Sequence, residues 1–340
     1  MRRVGRAPVV LGLCLALPVA LLAAASAGSV PLPPLRVLAS LLHAAGLGTG
    51  PALPPSSETI LWVVRLPRVL LAAMVGGALA VVGATMQSVF RNPLADSGLL
   101  GVSAGAALGA VAAVRLGWAD ATFLALPVAA FVGAMAAVLA LYALSQALGS
   151  GTLHGLLLTG ISVSALAAAG TSMLLVATEE FRVKTVLFWL AGGLDGRGWA
   201  HFRVAGVLIA IGCVVLVALA RVLDVLSLGD EEAAALGLPV HGARLLLLAL
   251  SALVAGAATA AAGSVPFVGL VAPHALRPLV GSLGRHLLPA AFLAGALLVV
   301  LADLGARVLS DRVDLPLGSL TAFVGAPYFL FALRRGEGRR

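Results

Sequence analysis

Of the chain's 340 residues, 61% are hydrophobic and 11% charged, with a mean hydropathy of +1.10; a soluble domain is about half apolar and about a quarter charged, so a water-soluble core is excluded. The net charge of +8 comes from basic residues scattered along the chain, which fits arginines at membrane interfaces and excludes a clustered nucleic-acid face. Lys184, the only lysine, stands in FRVKTV, so no GxxxxGK[ST] phosphate loop exists, and Cys14 and Cys213 lie in apolar runs without disulfide or metal spacing.

A helix needs about 20 apolar residues to cross the hydrocarbon layer, and backbone there must satisfy its own hydrogen bonds. Stacked apolar runs without polar alternation therefore predict a helical bundle rather than a barrel. The opening MRRVGRAPVVLGLCLALPVALLAAASAGS also describes a cleavable leader. Because everything downstream is membrane-embedded too, a retained first span over about 9–25 is the favoured reading. Arg2, Arg3 and Arg6 then put the N-terminus in the cytoplasm.

A Pro- and Gly-rich external stretch follows, around an amphipathic piece from Leu35 to Leu47. Further spans are expected over about 70–90, 99–114, 121–148, 156–176, 204–220, 245–262, 271–283, 287–308 and 317–333, ten in all. An even number returns the C-terminus to the cytoplasm, where Arg334, Arg335, Arg339 and Arg340 cluster. At an offset of 180 residues, Gly76 pairs with Gly256, Gly83 with Gly263, Pro93 with Pro273 and Gly101 with Gly281. The second span runs inward and the seventh outward, so a shift of five spans predicts an inverted repeat. Gly101, Gly105 and Gly109, four apart, predict one helix face open to close backbone approach.

Three blocks carry more than packing. The first, VVRLPRVLLAAMVGGALAVVGATMQSVFRNPLADSGLLGVSAGAALGAV, holds R-L-P-R at Arg65 to Arg68 and Q-x-x-x-x-N-P-L-A at Gln87 and Asn92 to Ala95. The second is GSVPFVGLVAPHALRPLVGSLGRHLLP. The third, LADLGARVLSDRVDLPLGSLTAFVGAPYFLFALRR, holds A-D-x-x-A-R and L-P-x-G-x-x-T-A-x-x-G-A-P-x-F. In this order they resemble the FecCD family, the permease subunits of ABC importers for ferric siderophores, haem and cobalamin. Pro266 stands where the family usually has Gly or another small residue, and Tyr328 precedes Phe329.

The resemblance implies an all-α integral membrane protein of about ten transmembrane helices with an inverted repeat, the type II ABC importer permease fold, as one polytopic domain over 1–340. It implies a homodimer with two ATP-binding subunits and one soluble or lipid-anchored substrate-binding protein, in a bacterial plasma membrane with both termini cytoplasmic. No covalent chemistry and no cofactor is expected in this chain; ATP and Mg belong to the partner. Cargo is an iron chelate, haem or ferric siderophore, with cobalamin the alternative.

By the same resemblance, Arg65, Arg68 and Arg307 meet carboxylates on the binding protein, where such pairs fix register and speed encounter. Headgroup anchoring is the plainer reading of these arginines. The internal LSLGDEEAAALGLPVHGAR has acids suited to a helix N-terminus, Gly237 to end that helix and Pro239 to prevent its continuation. Within it Asp230, Glu231, Gly237 and Leu238 are expected to couple to the ATPase, over a segment spanning 226–243. Asn92, Leu94, Leu153 and His154 fall where the family places its cytoplasmic gate. A solvated side chain is favoured over a haem ligand for His154.

Asp303 lies in an apolar run, where a carboxylate is a functional suspect by default. Arg307 four residues on shares its helix face, so mutual neutralisation is preferred to proton relay. External ATEEFRVKTVLFWLAGGLDGRGW predicts a short helix, with Trp189 and Trp199 placed as interfacial anchors. An ion-coupled transporter would need more intramembrane carboxylates, and a membrane enzyme a polar cluster at catalytic spacing; neither is present in the sequence.

Overall fold

The computed structural model describes residues 6–28, 30–47, 53–148, 153–309 and 315–337, the side chains of 153, 154 and 332–337 excepted. Every regular element among them is helical. The first half contains α1 (Arg6–Ser26), α2 (Pro34–Ala44), α3 (Pro55–Thr59), α4 (Leu66–Val89), α5 (Val102–Arg115), α6 (Ala125–Ala147) and α7 (Leu153–Val176). After α8 (Glu180–Leu190) come α9 (Trp199–Ala218), α10 (Ala220–Leu226), α11 (Asp230–Ala235), α12 (Val240–Ala262), α13 (Val268–Val280), α14 (Gly284–Val308) and α15 (Leu317–Glu337).

Among the described residues, seven apolar segments are long enough to cross a membrane, and three shorter ones, Val102–Arg115, Val268–Val280 and Leu317–Phe331, bring the apolar helices to ten. At about 1.5 Å per residue, α5 and α13 cover only about 20 Å of a roughly 30 Å layer. Irregular backbone completes their passage, and it survives at that depth because protein surrounds it. Thus Gly193 N–H reaches the Ala262 carbonyl at 2.8 Å, and Gly192 and Gly318 both press against the Ser264 carbonyl.

Small residues set the packing. In α4, most of whose residues are buried, a Cβ on Gly83 would strike the Gly269 backbone of α13, and one on Gly76 the Gly295 backbone of α14. Gly105 and Gly109 meet α6 at Gly133 and Ala129 in the same way. Hydrophobic transfer does not drive helices together inside lipid, so this close backbone contact is what holds the bundle. Gly101 departs from the expected stripe: with φ +73 it opens α5 in the left-handed region instead of lying on its face.

The packing repeats on exchanging halves. α4 lies on α14 as α12 lies on α6; α5 lies on α6 as α13 lies on α14; α5 meets α7 as α13 meets α15. The 180-residue offset is nevertheless not the structural one. α5 and α13 begin at Val102 and Val268, α6 and α14 at Ala125 and Gly284. Gly83 sits inside α4, whereas Gly263 ends α12 at φ +69, so that pairing was a coincidence of abundant glycine. α1 and α9 break the pattern: α1 packs on α14, while α9 packs on both α4 and α12.

Candidate functional site

Polar side chains gather at the two ends of the bundle. The first end lies beside α2. There Pro67 cannot donate a backbone hydrogen bond, and its ring would crowd the carbonyl four residues earlier. The chain accommodates this by widening into a π-helical turn over Ile60–Arg65, in which Leu66 N–H reaches back to Leu61. Arg65, only 6% exposed, thereby points at the end of α1.

Its Nη1 donates to the Ala25 and Ser26 carbonyls at 3.0 and 2.8 Å, and its Nη2 to that of Val30. Arg307 donates through Nη1 to Ala27 and through Nη2 to Ala24, both at 2.9 Å. Ala27 N–H covers Ala23 at 2.9 Å, so the last carbonyls of α1 are all satisfied. Two cations also oppose the negative end of the α1 dipole.

Asp303 is 1% exposed and accepts from Arg307 Nε on Oδ2 and from Arg68 Nε on Oδ1, each at 3.0 Å. Arg68 Nη1 extends to Asp195 Oδ1 at 3.4 Å, a carboxylate that lies outside the three sequence blocks. The helix-face pair expected of Asp303 and Arg307 is therefore present, with Arg68 as its third member. All three guanidiniums turn inward, because helix-end carbonyls and a buried carboxylate already offer charge-complementary partners there. Trp189 likewise packs inside at 7% exposure, while Trp199 stays half-buried and donates through Nε1 to the Trp62 carbonyl at 2.7 Å.

The opposite end holds the turn after α4 and the helix α11. Arg91 adopts φ +49, Asn92 N–H reaches the Gln87 carbonyl at 3.1 Å, and Asn92 Oδ1 accepts from Leu94 N–H at 2.9 Å. This Asx turn leaves Leu94 47% exposed. Asp96 Oδ1 then accepts Ser97 N–H at 2.6 Å to start the 3₁₀ turn Ser97–Leu100. Burial pushes the Asp96 carboxyl up, against its bonds to Ser97. Leu153 and His154 open α7, and their side chains lie outside the described residues.

α11 closes as its sequence predicts. Gly237 takes φ +82; its N–H bonds Ala234 O at 2.9 Å, and Leu238 N–H bonds Ala233 O at 3.0 Å, the paired bonds of a Schellman end. Ala233 and Leu238 face the core, whereas Glu231 and Gly237 are exposed. Asp230 Oδ1 accepts from Arg244 Nη2 at 2.7 Å and from Arg91 Nη2 at 3.4 Å. A single carboxylate thus joins α11 to α12 and to the Asn92–Leu94 turn. Reading the sequence missed Arg91 and Arg244; their only signal was a basic residue beside each assigned segment.

At the same end, in the last turn of α4, Gln87 donates through Nε2 to the Gly269 carbonyl at 3.1 Å and accepts from Arg277 Nη2 at 3.3 Å. The first two sequence blocks are therefore in direct contact. Among the described residues, no group of three or more His, Cys, Asp or Glu gathers in metal-holding geometry.

The three blocks that define the resemblance hence converge in space, and a model of the FecCD transport family matches residues 16–335. The chain belongs to the FecCD transport family. It is 43% identical over 284 residues to the hemin transport system permease protein HmuU of Yersinia pestis, covering 82% of this chain and 85% of that one. It is 40% identical over 312 residues to the cobalamin import system permease protein BtuC of Halobacterium salinarum, covering 92% and 82%. Its backbone matches a solved structure described as a metal-chelate type ABC transporter with TM-score 0.84 and 31% identity, over 96% of this chain and 99% of that one. This FecCD protein is a multi-pass membrane protein of a transport family, and its motif residues do structural work: Arg65 and Arg307 cap a helix, Asp303 neutralises two arginines, and Gln87 with Arg277 ties α4 to α13.

Proposed function

We propose that this chain is the permease subunit of an ATP-driven importer that moves an iron chelate, haem or ferric siderophore, into the cytoplasm, with cobalamin the second reading. Family membership supports the class, and hemin and cobalamin permeases among its relatives support both cargoes. The observation that carries the mechanism is the Asp230 carboxylate between Arg244 and Arg91. α11 is an exposed lever, rigidly closed at Gly237, whose displacement by a partner ATPase carries the turn at Asn92 and Leu94 with it.

In this reading two copies enclose the path, two ATPase subunits hold ATP and Mg against α11, and one soluble or lipid-anchored binding protein docks at the Arg65–Arg307 end. The membrane is the bacterial plasma membrane, with both termini cytoplasmic. Arg65, Arg68 and Arg307 contribute to docking by fixing α1, α4 and α14 as one face. Asn92, Leu94, Leu153 and His154 form the inner gate, and no cofactor resides in the chain.

Reconstitution of the chain with its ATPase and binding protein in vesicles tests this. ATP-dependent uptake of radiolabelled haem, ferric siderophore or cobalamin, inhibited by vanadate, is the expected result. Uptake driven by a proton or sodium gradient without ATP overturns it. Titrating the binding protein with each chelate separates the two cargo readings.

A further inference from the structure

Beside α1, between its outer two turns, α2 and the start of α4, lies a groove of about 510 Å³. Its walls are Pro18, Leu22, Leu41, Leu70, Trp62 and Trp199 with neighbouring aliphatic groups, and hardly any polar surface reaches it. This volume is that of a small-molecule site, about 300–1,000 Å³. We propose that the groove is a binding site for one acyl chain of a phospholipid in the bilayer leaflet on the α2 side.

Depth is the first support. Pro18 stands eight residues before the end of an apolar spanning helix, about 12 Å along its axis, and Leu66 to Leu70 begin the next span. The groove therefore lies within the outer part of the hydrocarbon layer. Continuity is the second. Leu11, Leu15 and Val19, at 59, 63 and 68% exposure, form an i, i+4, i+8 stripe along α1, and Val19 is itself part of the groove wall. Leu35, Leu38 and Leu42 of α2 continue the exposed apolar surface past the helix end.

The third support is how its polar neighbours are disposed. Trp62 Nε1 donates to Ser40 Oγ at 3.1 Å, and Ser40 Oγ to Glu58 at 2.9 Å. Trp199 Nε1 is spent on the Trp62 carbonyl, and Arg65 on the end of α1. Each of these donors is thus engaged away from the groove. Water would find no partners inside, whereas a methylene chain gains apolar burial where water is the alternative and contact packing where lipid is. Three walls distinguish the groove from the open lipid-facing side of α6, so its occupant is retained rather than exchanged with the annulus.

Native mass spectrometry of the detergent-purified full chain with added phosphatidylethanolamine tests the site. One retained lipid per chain is expected, kept in Val132→Phe, which alters an exposed position on α6, and lost in Leu38→Phe/Leu70→Phe, which fills the groove. Equal retention in all three, or none in the unaltered chain, overturns the proposal. Should the filled variant not fold, a phosphatidylethanolamine with brominated acyl chains reads the site in a Trp118→Phe/Trp189→Phe chain. At one lipid per chain in detergent it must quench Trp62 and Trp199; unquenched fluorescence overturns the proposal equally.

Discussion

Asp303 shows how much one side chain carries. It is 1% exposed and holds Arg68 and Arg307, whose side chains are 12% and 8% exposed. Replacing it by Asn removes the buried carboxylate that both share, Arg68 keeping the exposed Asp195 at 3.4 Å, and breaking a buried pair in this way costs about 3–5 kcal/mol. A clear fall in the unfolding midpoint in detergent is expected for Asp303→Asn, partly restored by adding Arg68→Gln. Proton relay makes the opposite demand: little change in midpoint and a changed pH profile of uptake. Gly237 is constrained differently. No atom lies within 4 Å of a Cβ built there, so its φ of +82 is the whole constraint. A left-handed β-branched residue costs roughly 1–2 kcal/mol, while Asn visits that region readily. Gly237→Val should therefore uncouple ATP hydrolysis from uptake while the chain still inserts, and Gly237→Asn should not. Equal coupling ratios in the two variants would show that the Schellman end of α11 plays no part.

Among elements, α11 is bound to its neighbours by two unequal bridges. Arg244 to Asp230 is 2.7 Å long with an 8% exposed arginine, whereas Arg91 to Asp230 is 3.4 Å with both side chains nearly half exposed. Exposed pairs contribute about 0–1 kcal/mol and are screened by salt. Arg244→Gln is thus expected to lower both stability and uptake. Arg91→Gln should leave the unfolding midpoint unchanged and lower uptake per ATP hydrolysed at low salt, and the difference from the unaltered chain should shrink as salt screens the bridge there. Uptake per ATP unchanged in Arg91→Gln at low salt separates α11 from the Asn92–Leu94 turn. The contact of α4 with α13 tolerates less. At Gly83 any Cβ meets the Gly269 backbone, which has no rotamer to change. Gly83→Leu should prevent assembly, seen as loss of the monodisperse detergent-solubilised species.

At the scale of the molecule, the ten apolar runs were legible because apolar length is a local signal, but their bounds were not: α4, α9, α12 and α13 begin at Leu66, Trp199, Val240 and Val268, three to five residues before the expected starts. The α11 closure was legible because helix-terminating Gly and Pro are local signals. The inward turn of Arg65 was not: it follows from the π-helical turn before Pro67 and from orphan carbonyls of α1 some forty residues earlier, a partnership that no local pattern records. The repeat was legible as a change of span direction but not as an offset, since loops of unequal length separate corresponding helices. Orientation rests on arginines at the termini, Arg2, Arg3, Arg339 and Arg340 among them outside the described residues. Exposed positions on α8 and α11 test it. Five spans separate the α2 end from the α11 end, so α8 and α11 lie on opposite sides, with Lys184 exposed on one and Leu236, 65% exposed, on the other. In a Cys14→Ser/Cys213→Ser chain, a membrane-impermeant maleimide should label Lys184→Cys in intact spheroplasts and Leu236→Cys only in inverted vesicles. The reverse pattern would place α11 outside, where no cytoplasmic ATPase could reach it.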